Sequence, residues 1–182
     1  MIYRSKETVC SITVPRDPEY LALVQDILEH PLVRSMEAYT QHGETSCLRH
    51  SINVSYLSYL YCRDHGWQAR AAARAGLLHD MFLSDRETTG IGLWKHLRIH
   101  PQMALKNAME YGLSPLEKDI ILKHMWPVTM SKLPRYRESL VVNLADKICT
   151  VCEVLRLYRM LGVRKRLGHL NQSARSCPAS AA

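Results

Sequence analysis

The sequence predicts an all-α domain, and three features of its 182 residues indicate this fold class. Leu, Ala and Met, which favour helices, supply much of the 47% of residues that are hydrophobic, whereas Phe occurs once. Apolar residues recur at three- and four-residue spacing, as they do on the buried face of a helix. No alternating apolar and polar stretch of useful length predicts a strand. We therefore expect a core built from helices alone.

Capping and helix-breaking residues divide the chain into these helices. Pro31 interrupts the first helical region, and Gly66 ends a long helix that begins near Cys47. Ser114 and Glu117 have the spacing of a capping box, which marks the start of another helix. The predicted helices cover about residues 19–29, 47–65, 68–79, 101–111, 115–125 and 138–161.

The length suits a single domain with a core of its own. Residues 1–45 are expected to be a lead-in whose short helices pack on the core, and residues 46–162 form the main domain. Residues 163–182 are small, polar and basic, so we expect a disordered tail there. Residues 83–93, which include Gly90 and Gly92, are expected to form a loop over the functional site.

Hydropathy argues against a membrane partner, because no apolar run approaches the roughly 20 residues that span a bilayer. The amino terminus also lacks a signal-peptide pattern. We therefore expect a soluble, cytoplasmic protein. Cys149 and Cys152 have CxxC spacing but lie in an apolar helical run, so they are expected to be buried thiols.

The formal net charge of +7 favours an anionic partner. Much of the excess positive charge lies late in the chain, between residues 156 and 175. Because this stretch lacks interleaved aromatic residues and any recognisable binding motif, a nucleic acid is not an expected partner. A phosphorylated small molecule, such as a nucleotide, is the expected one, and a homodimer remains an open alternative to a monomer.

Six side chains that bind divalent transition metals well lie in predicted helices or at helix ends. They are His50, His79, Asp80, His100, His124 and Asp146. Imidazole and carboxylate ligands together suit iron, manganese or zinc. Because six ligands exceed what one tetrahedral ion needs, the set is a candidate two-metal site. Taken singly, each histidine could instead be a hydrogen-bonded core residue and each aspartate a salt-bridge partner.

Helical phase supports inward positions for several of these residues. His50 shares a face with Val54 and other apolar residues, so it is expected to point inward. Small residues, including Gly76, precede His79 on its face and would allow a close helix approach. Asp146 lies opposite the apolar stripe that contains Ile148, so its helix is expected to be buried on both sides. A buried carboxylate must be paired or bind a metal.

In this order and spacing, the residues resemble the HD-domain superfamily of metal-dependent phosphohydrolases, over about residues 47–155. The matching segments are Leu48-Arg49-His50-Ser51, Gly76-Leu77-Leu78-His79-Asp80, His100-Pro101, Leu122-Lys123-His124 and Asn143-Leu144-Ala145-Asp146-Lys147. His100 and His124 resemble the extra ligands of the branch with two metals. The small size is closer to the symmetric diadenosine tetraphosphate hydrolases than to the cyclic-dinucleotide phosphodiesterases, whose Gly-Tyr-Pro motif is missing here.

The resemblance implies an HD-domain helical bundle over residues 46–162 and two divalent transition metal ions, iron first, with manganese or zinc as alternatives. One ion would be held by His50, His79, Asp80 and Asp146, and Asp80 would bridge to a second. The second ion would also be held by His100 and His124. The metals would activate a hydroxide that hydrolyses a phosphoester or phosphoanhydride bond of a nucleotide or dinucleoside polyphosphate.

The resemblance also suggests catalytic and substrate-binding residues. Asp80 is one catalytic candidate, and Asp85 is another, because several nucleotidases of the superfamily place a catalytic Glu shortly after the His-Asp doublet. His96, Lys123 and Lys147 are candidate contacts to the substrate. Since no Glu follows the doublet directly, the alternative is a degenerate HD domain that binds a metal and a nucleotide as a regulatory module without turnover.

Overall fold

A computed structural model describes residues 14–42, 45–82, 93–129 and 133–155, without the side chains of residues 42 and 93–96. The α-helices in these ranges are α1 Pro18–Leu28, α2 Pro31–Ser35, α3 Cys47–Asp64, α4 Ala69–Leu78, α5 Leu93–Ala108, α6 Pro115–Lys123 and α7 Arg137–Val154. Short 3₁₀ helices cover Met36–Ala38 and Met109–Tyr111. Strands β1 Thr40–His42 and β2 Thr45–Ser46 pair antiparallel. The predicted all-α helical bundle is confirmed.

Side-chain caps start several helices. The hydroxyl of Ser46 accepts a hydrogen bond from the backbone N–H of Arg49 at the start of α3. Ser114 and Glu117 form the predicted capping box at the start of α6. The expectation that Pro101 begins a helix is wrong, because α5 starts at Leu93 and contains this proline in its interior. A proline there removes one backbone hydrogen bond, but the helix continues on both sides of it.

The centre of the bundle is formed by α3, which packs against α4 and α7. Gly76 in α4 allows the close approach of α3, since a Cβ at this position would lie 2.9 Å from Cα of Ser55. The hydroxyl of Ser55 donates to the carbonyl oxygen of Ala73 at 2.6 Å, which ties the two helices together. The predicted small-residue contact is confirmed, and it brings the ends of α3 and α4 that carry His50 and His79 side by side.

The outer face of α7 is apolar and exposed. Its large side chains, 45% to 59% exposed, are Leu140, Leu144, Ile148, Val151, Val154 and Leu155. The opposite face buries Val142, Asp146 and Cys149. The expectation that this helix is buried on both sides is therefore wrong. The face turned toward the bundle is the one that carries the polar residues, because they face the candidate metal centre.

Other expectations can be compared with the described residues. Cys149 is buried, as predicted, whereas Cys152 is only partly buried. Within the described ranges, no helix combines the length and hydropathy that crossing a membrane requires. The division into residues 1–45, 46–162 and 163–182 stays a prediction, and the predicted tail lies outside the described residues, as does most of the predicted loop at 83–93.

Candidate metal centre

His50 connects the first turn of α3 to the carboxylates of α7. Its ring is fully buried, and its Nε2 lies 3.1 Å from Oδ1 of Asp146. Its Nδ1 lies 2.9 Å from Oε2 of Glu153. Because each ring nitrogen has a carboxylate beside it, the orientation of the imidazole is fixed by α7. The inward position predicted for His50 and Asp146 is confirmed.

His79 and Asp80 follow the end of α4 and point into the same region. Nδ1 of His79 donates to the carbonyl oxygen of Gly76 at 2.8 Å, since a carbonyl can only accept. Its Nε2 then lies 3.2 Å from Oδ2 of Asp80 and 3.8 Å from Oδ1 of Asp146. This buried nitrogen has no hydrogen-bond partner among the described residues. An imidazole nitrogen left without a hydrogen bond beside two carboxylates has the orientation of a metal ligand.

His100 and His124 converge on the other oxygen of Asp80. Nδ1 of His124 donates to the carbonyl oxygen of Ile121 at 2.7 Å, which leaves its Nε2 to face inward. This Nε2 lies 2.8 Å from Nε2 of His100 and 3.5 Å from Oδ1 of Asp80. Nε2 of His100 lies 2.9 Å from the same Oδ1. The two imidazoles and the carboxylate surround one point with nitrogen and oxygen lone pairs.

The six predicted ligands thus form two groups of three, and within each group the ligand atoms lie within 4.8 Å of one another. The first group is His50, His79 and Asp146, and the second is Asp80, His100 and His124. Asp80 connects them, because Oδ2 lies 3.2 Å from the first group's His79 while Oδ1 faces the second. All six side chains are buried. The donor set fits divalent transition metal ions.

The carboxylates raise the pKa values of two imidazoles in the metal-free protein. Burial alone would lower the pKa of His50, but hydrogen bonds with Asp146 and Glu153 raise it to about 9. Burial likewise opposes the charged form of His79, yet the nearby carboxylates of Asp80 and Asp146 raise its pKa to about 10. The charge that attracts a proton to these rings also attracts a divalent cation, so the two compete.

The remaining ligands are held in the states that metals bind. Burial alone would raise the pKa of Asp80, but the charge of His79 and a hydrogen bond from His100 hold it well below its ordinary value. A hydrogen bond from His50 and the nearby imidazole of His79 likewise outweigh burial and lower the pKa of Asp146. Burial lowers the pKa of His124 to about 4, so its ring is neutral near pH 7. Ionised carboxylates and a neutral imidazole are ready to coordinate a cation.

Two residues that contact the ligands were missed in the sequence. Glu153 accepts from His50 and also from Nδ2 of Asn53 at 3.2 Å. It lies two helical turns after Asp146 on the same face, and this spacing is the signal that could have found it. Nε2 of Gln41 in β1 donates to Oδ2 of Asp80 at 2.5 Å. Gln41 lies in the lead-in predicted over residues 1–45 and outside the predicted helices, so no sequence periodicity pointed to it.

The predicted substrate contacts are placed differently. The ammonium of Lys147 lies 3.0 Å from the carbonyl oxygen of His124 and 3.6 Å from Oδ2 of Asp146, at the edge of the candidate metal centre. Lys123 instead pairs with Asp119 at 2.5 Å. Its role as a substrate contact stays a prediction.

Two other candidates cannot be placed at the site. Asp85 lies outside the described residues, and His96 belongs to α5 but its side chain is not among those described. The catalytic role of Asp85 and the substrate contact of His96 therefore stay predictions.

The chain is similar to proteins named ribonuclease Y. It is 32% identical over 146 residues to ribonuclease Y of Clostridium perfringens, 29% over 147 residues to that of Clostridium kluyveri and 30% over 148 residues to that of Desulforudis audaxviator. These matches cover 80%, 80% and 81% of this chain but 26% of each relative. The chain thus spans about a quarter of the length of these curated relatives. No family model matches it, and no solved structure does.

This similarity corrects two expectations. The relatives are named for an activity on RNA. We expected a small phosphorylated molecule as the partner and no nucleic acid, and this expectation is wrong. The helical fold, the His and Asp groups and the relatives fit the HD superfamily of hydrolases. They do not fit the branch of symmetric diadenosine tetraphosphate hydrolases. The expectation that the chain resembles this branch, which was based on its small size, is therefore wrong.

Proposed function

We propose that this chain is a metal-dependent phosphodiesterase that hydrolyses RNA and holds two divalent transition metal ions. The observation that carries the proposal is the position of Asp80, whose two carboxylate oxygens face different groups of buried ligands. The similarity to ribonuclease Y supports RNA as the substrate class. The formal charge of +7 suits a polyanionic substrate.

The proposed ligand sets follow the two groups. His50, His79 and Asp146 would hold one ion, and His100 and His124 the other, with Asp80 shared between them. A bound pair of such ions lowers the pKa of a coordinated water and neutralises charge on a phosphate. Iron is the predicted metal, with manganese or zinc as alternatives.

The surrounding residues fix the ligands before any ion binds. The carbonyl oxygen of Gly76 fixes the ring of His79, and that of Ile121 fixes the ring of His124. The carboxylate of Glu153 fixes the ring of His50 by accepting from its Nδ1. Because the rings are buried and each is held at its second nitrogen, coordination requires little rearrangement.

Lys147 is the described residue best placed to contact a phosphate of the substrate. Its side chain is 39% exposed, and its ammonium lies beside Asp146 at the edge of the site. An RNA phosphate close to the ligand groups would therefore meet a positive charge at this edge. Asp85 and His96 remain proposed as an additional catalytic group and an additional substrate contact. A cytoplasmic location and a homodimer also remain predictions.

Metal loading and RNA cleavage by the purified chain test this proposal together. We expect added Mn²⁺ or Fe²⁺ to support cleavage of a labelled single-stranded RNA. Asp80→Asn should lower both the bound metal and the cleavage rate, the rate by about 100-fold or more. Glu110→Gln neutralises an exposed carboxylate in the second 3₁₀ helix and is the matched control.

Two results would contradict the proposal. If Asp80→Asn binds metal and cleaves RNA like the unmodified chain, the assigned ligand set is wrong. If the chain binds both metal and RNA but cleaves no RNA with any of the three metals, it is a binding module and not a hydrolase.

A further inference from the structure

The end of α3 and the turn that follows it carry aromatic rings that are exposed or only partly buried. The rings of Tyr61 and His65 stack with centroids 4.1 Å apart and planes 19° from parallel. Trp67, in the turn that follows α3, lies 5.7 Å from Tyr61 and 5.3 Å from His65. Tyr61 is 45% exposed and His65 is exposed, although burial would stabilise aromatic rings of this kind.

Arg137 at the start of α7 lies against one of these rings. The guanidinium of Arg137 is 4.6 Å from the centroid of the Trp67 ring, and its side chain is 60% exposed. Arg135 and Tyr136 precede it as consecutive exposed residues. We call this surface the aromatic–arginine patch. It comprises Tyr61, His65, Trp67, Arg135, Tyr136 and Arg137.

The charges around the patch favour an anionic ligand. Glu138, the residue after Arg137, is buried, accepts a hydrogen bond from the backbone N–H of Gln68 and lies 3.5 Å from Nε of Arg137. Asp64 is exposed, but it is paired with Arg63 at 3.1 Å. Because Arg63, Arg135 and Arg137 outnumber Asp64 and Glu138, the surface keeps a net positive charge beside its aromatic rings.

We propose that the aromatic–arginine patch binds single-stranded RNA by stacking on its bases, an inference that rests on the proposed function. Aromatic rings and guanidinium planes stack on unpaired bases, and arginines also neutralise the adjacent phosphates. Exposed rings beside an exposed arginine match this ligand. A purely apolar partner would cover the guanidinium groups of Arg135 and Arg137 without offering them an anion.

The position of the patch gives the bound RNA a defined relation to the metal centre. Tyr61 lies about three turns of α3 beyond His50, or roughly 16 Å along the helix. Arg137 lies two and a half turns of α7 before Asp146, or roughly 14 Å. At the stacking rise of about 3.4 Å per nucleotide, a strand needs roughly four or five nucleotides to cover this distance. RNA shorter than this should not reach both places.

The test measures binding of a fluorescent twelve-nucleotide single-stranded RNA to the full chain in EDTA, which prevents cleavage. The variants are Tyr61→Ala and Arg137→Gln, and Arg34→Gln removes an exposed arginine of α2 as the control. Losing one stacked base weakens binding by about five- to a hundredfold. We expect a loss in this range for both patch variants, none for the control, and unchanged thermal unfolding midpoints for all three.

Substrate length supplies a readout that damage to the metal centre would not mimic. With metal added, the patch variants should raise the KM for a twelve-nucleotide RNA by at least fivefold and leave cleavage of a dinucleotide unchanged. A loss of equal size on both substrates would overturn the proposal. Competition by inorganic polyphosphate as strong as that by RNA would also overturn it, because the patch would then recognise charge without bases.

The outcomes separate this proposal from the proposed function. If the chain cleaves RNA and the patch variants bind and cleave like the unmodified chain, the patch proposal is wrong and the proposed function stands. If the patch variants lose RNA binding but no metal supports cleavage, the patch is supported and the proposed function fails.

Discussion

Asp80 is the residue on which the candidate metal centre depends, because its carboxylate is the part that faces both ligand groups. Its two oxygens have different surroundings. Oδ2 accepts from Gln41 and lies near His79, whereas Oδ1 faces His100 and His124. A single carboxylate can therefore set the distance between two cations, and this arrangement follows from its place directly after His79 at the end of α4.

The hydrogen bond that Glu153 accepts from His50 predicts a measurable effect on metal affinity. Glu153→Gln keeps the size of the side chain but removes the charge that orients the ring and raises its basicity. We expect metal binding to weaken by roughly 10- to 100-fold, as other changes to the partners of metal-bound histidines do. Calorimetric titration of the chain with Mn²⁺ measures this. Unchanged affinity would show that Asp146 alone orients His50.

Sequence reasoning identified ligands more readily than the residues that hold them. His50 and Asp146 were predicted to point inward from helical phase, and the structure places them 3.1 Å apart. Glu153 and Gln41 were missed because each acts on a ligand through a hydrogen bond to a different element of the fold. Helical spacing places Glu153 on the face of Asp146, but only the tertiary arrangement brings it to His50, and no periodic pattern includes Gln41.

At the scale of elements, the contact between α3 and α4 positions His50 beside His79. Gly76→Ala would introduce a Cβ 2.9 Å from backbone atoms of Ser55, so the two helices must move apart. We expect a loss of about 1–3 kcal/mol in the free energy of unfolding, together with weaker metal binding. Denaturant unfolding and metal titration measure the two effects.

A matched change at Gly112 controls for the addition of a methyl group. Its φ is +62°, and no atom lies within 4 Å of a Cβ built there. Gly112→Ala should therefore cost about 1–2 kcal/mol from the backbone alone and leave metal affinity unchanged. If Gly76→Ala also left metal affinity unchanged, the contact between α3 and α4 would not determine the ligand geometry.

Helix α7 shows what sequence periodicity does and does not reveal. The spacing correctly placed Asp146 opposite the stripe that includes Leu144 and Ile148. It did not reveal which of the two faces is turned inward, because apolar residues occur on both. The structure exposes the stripe and buries Asp146, since the polar face of α7 is turned toward the histidines of α3 and α4.

At the scale of the whole molecule, protons and metal ions compete for the same site. The metal-free protein holds the pKa of His50 at about 9 and that of His79 at about 10, above their ordinary value of 6.5. A histidine with a raised pKa stabilises the fold while it is protonated. This contribution is complete below pH 6.5 and is lost as the pH rises toward 9 or 10.

The thermal unfolding midpoint of the metal-free protein and the increase caused by metal should therefore change with pH in opposite directions. In EDTA, we expect the midpoint to fall between pH 6.5 and 9. The increase caused by added Mn²⁺ should grow over the same interval, because the ligands bind metal as neutral imidazoles. Thermal unfolding followed by circular dichroism measures both. A metal-induced increase that is constant across this interval would contradict the proposed role of the two histidines.

Metal stoichiometry tests the central claim most directly. The full chain would be loaded anaerobically with Fe²⁺ or Mn²⁺, freed of excess ion by gel filtration, and analysed for metal and protein. The two ligand groups joined by Asp80 predict two ions per chain. One ion per chain, or none, would contradict the account.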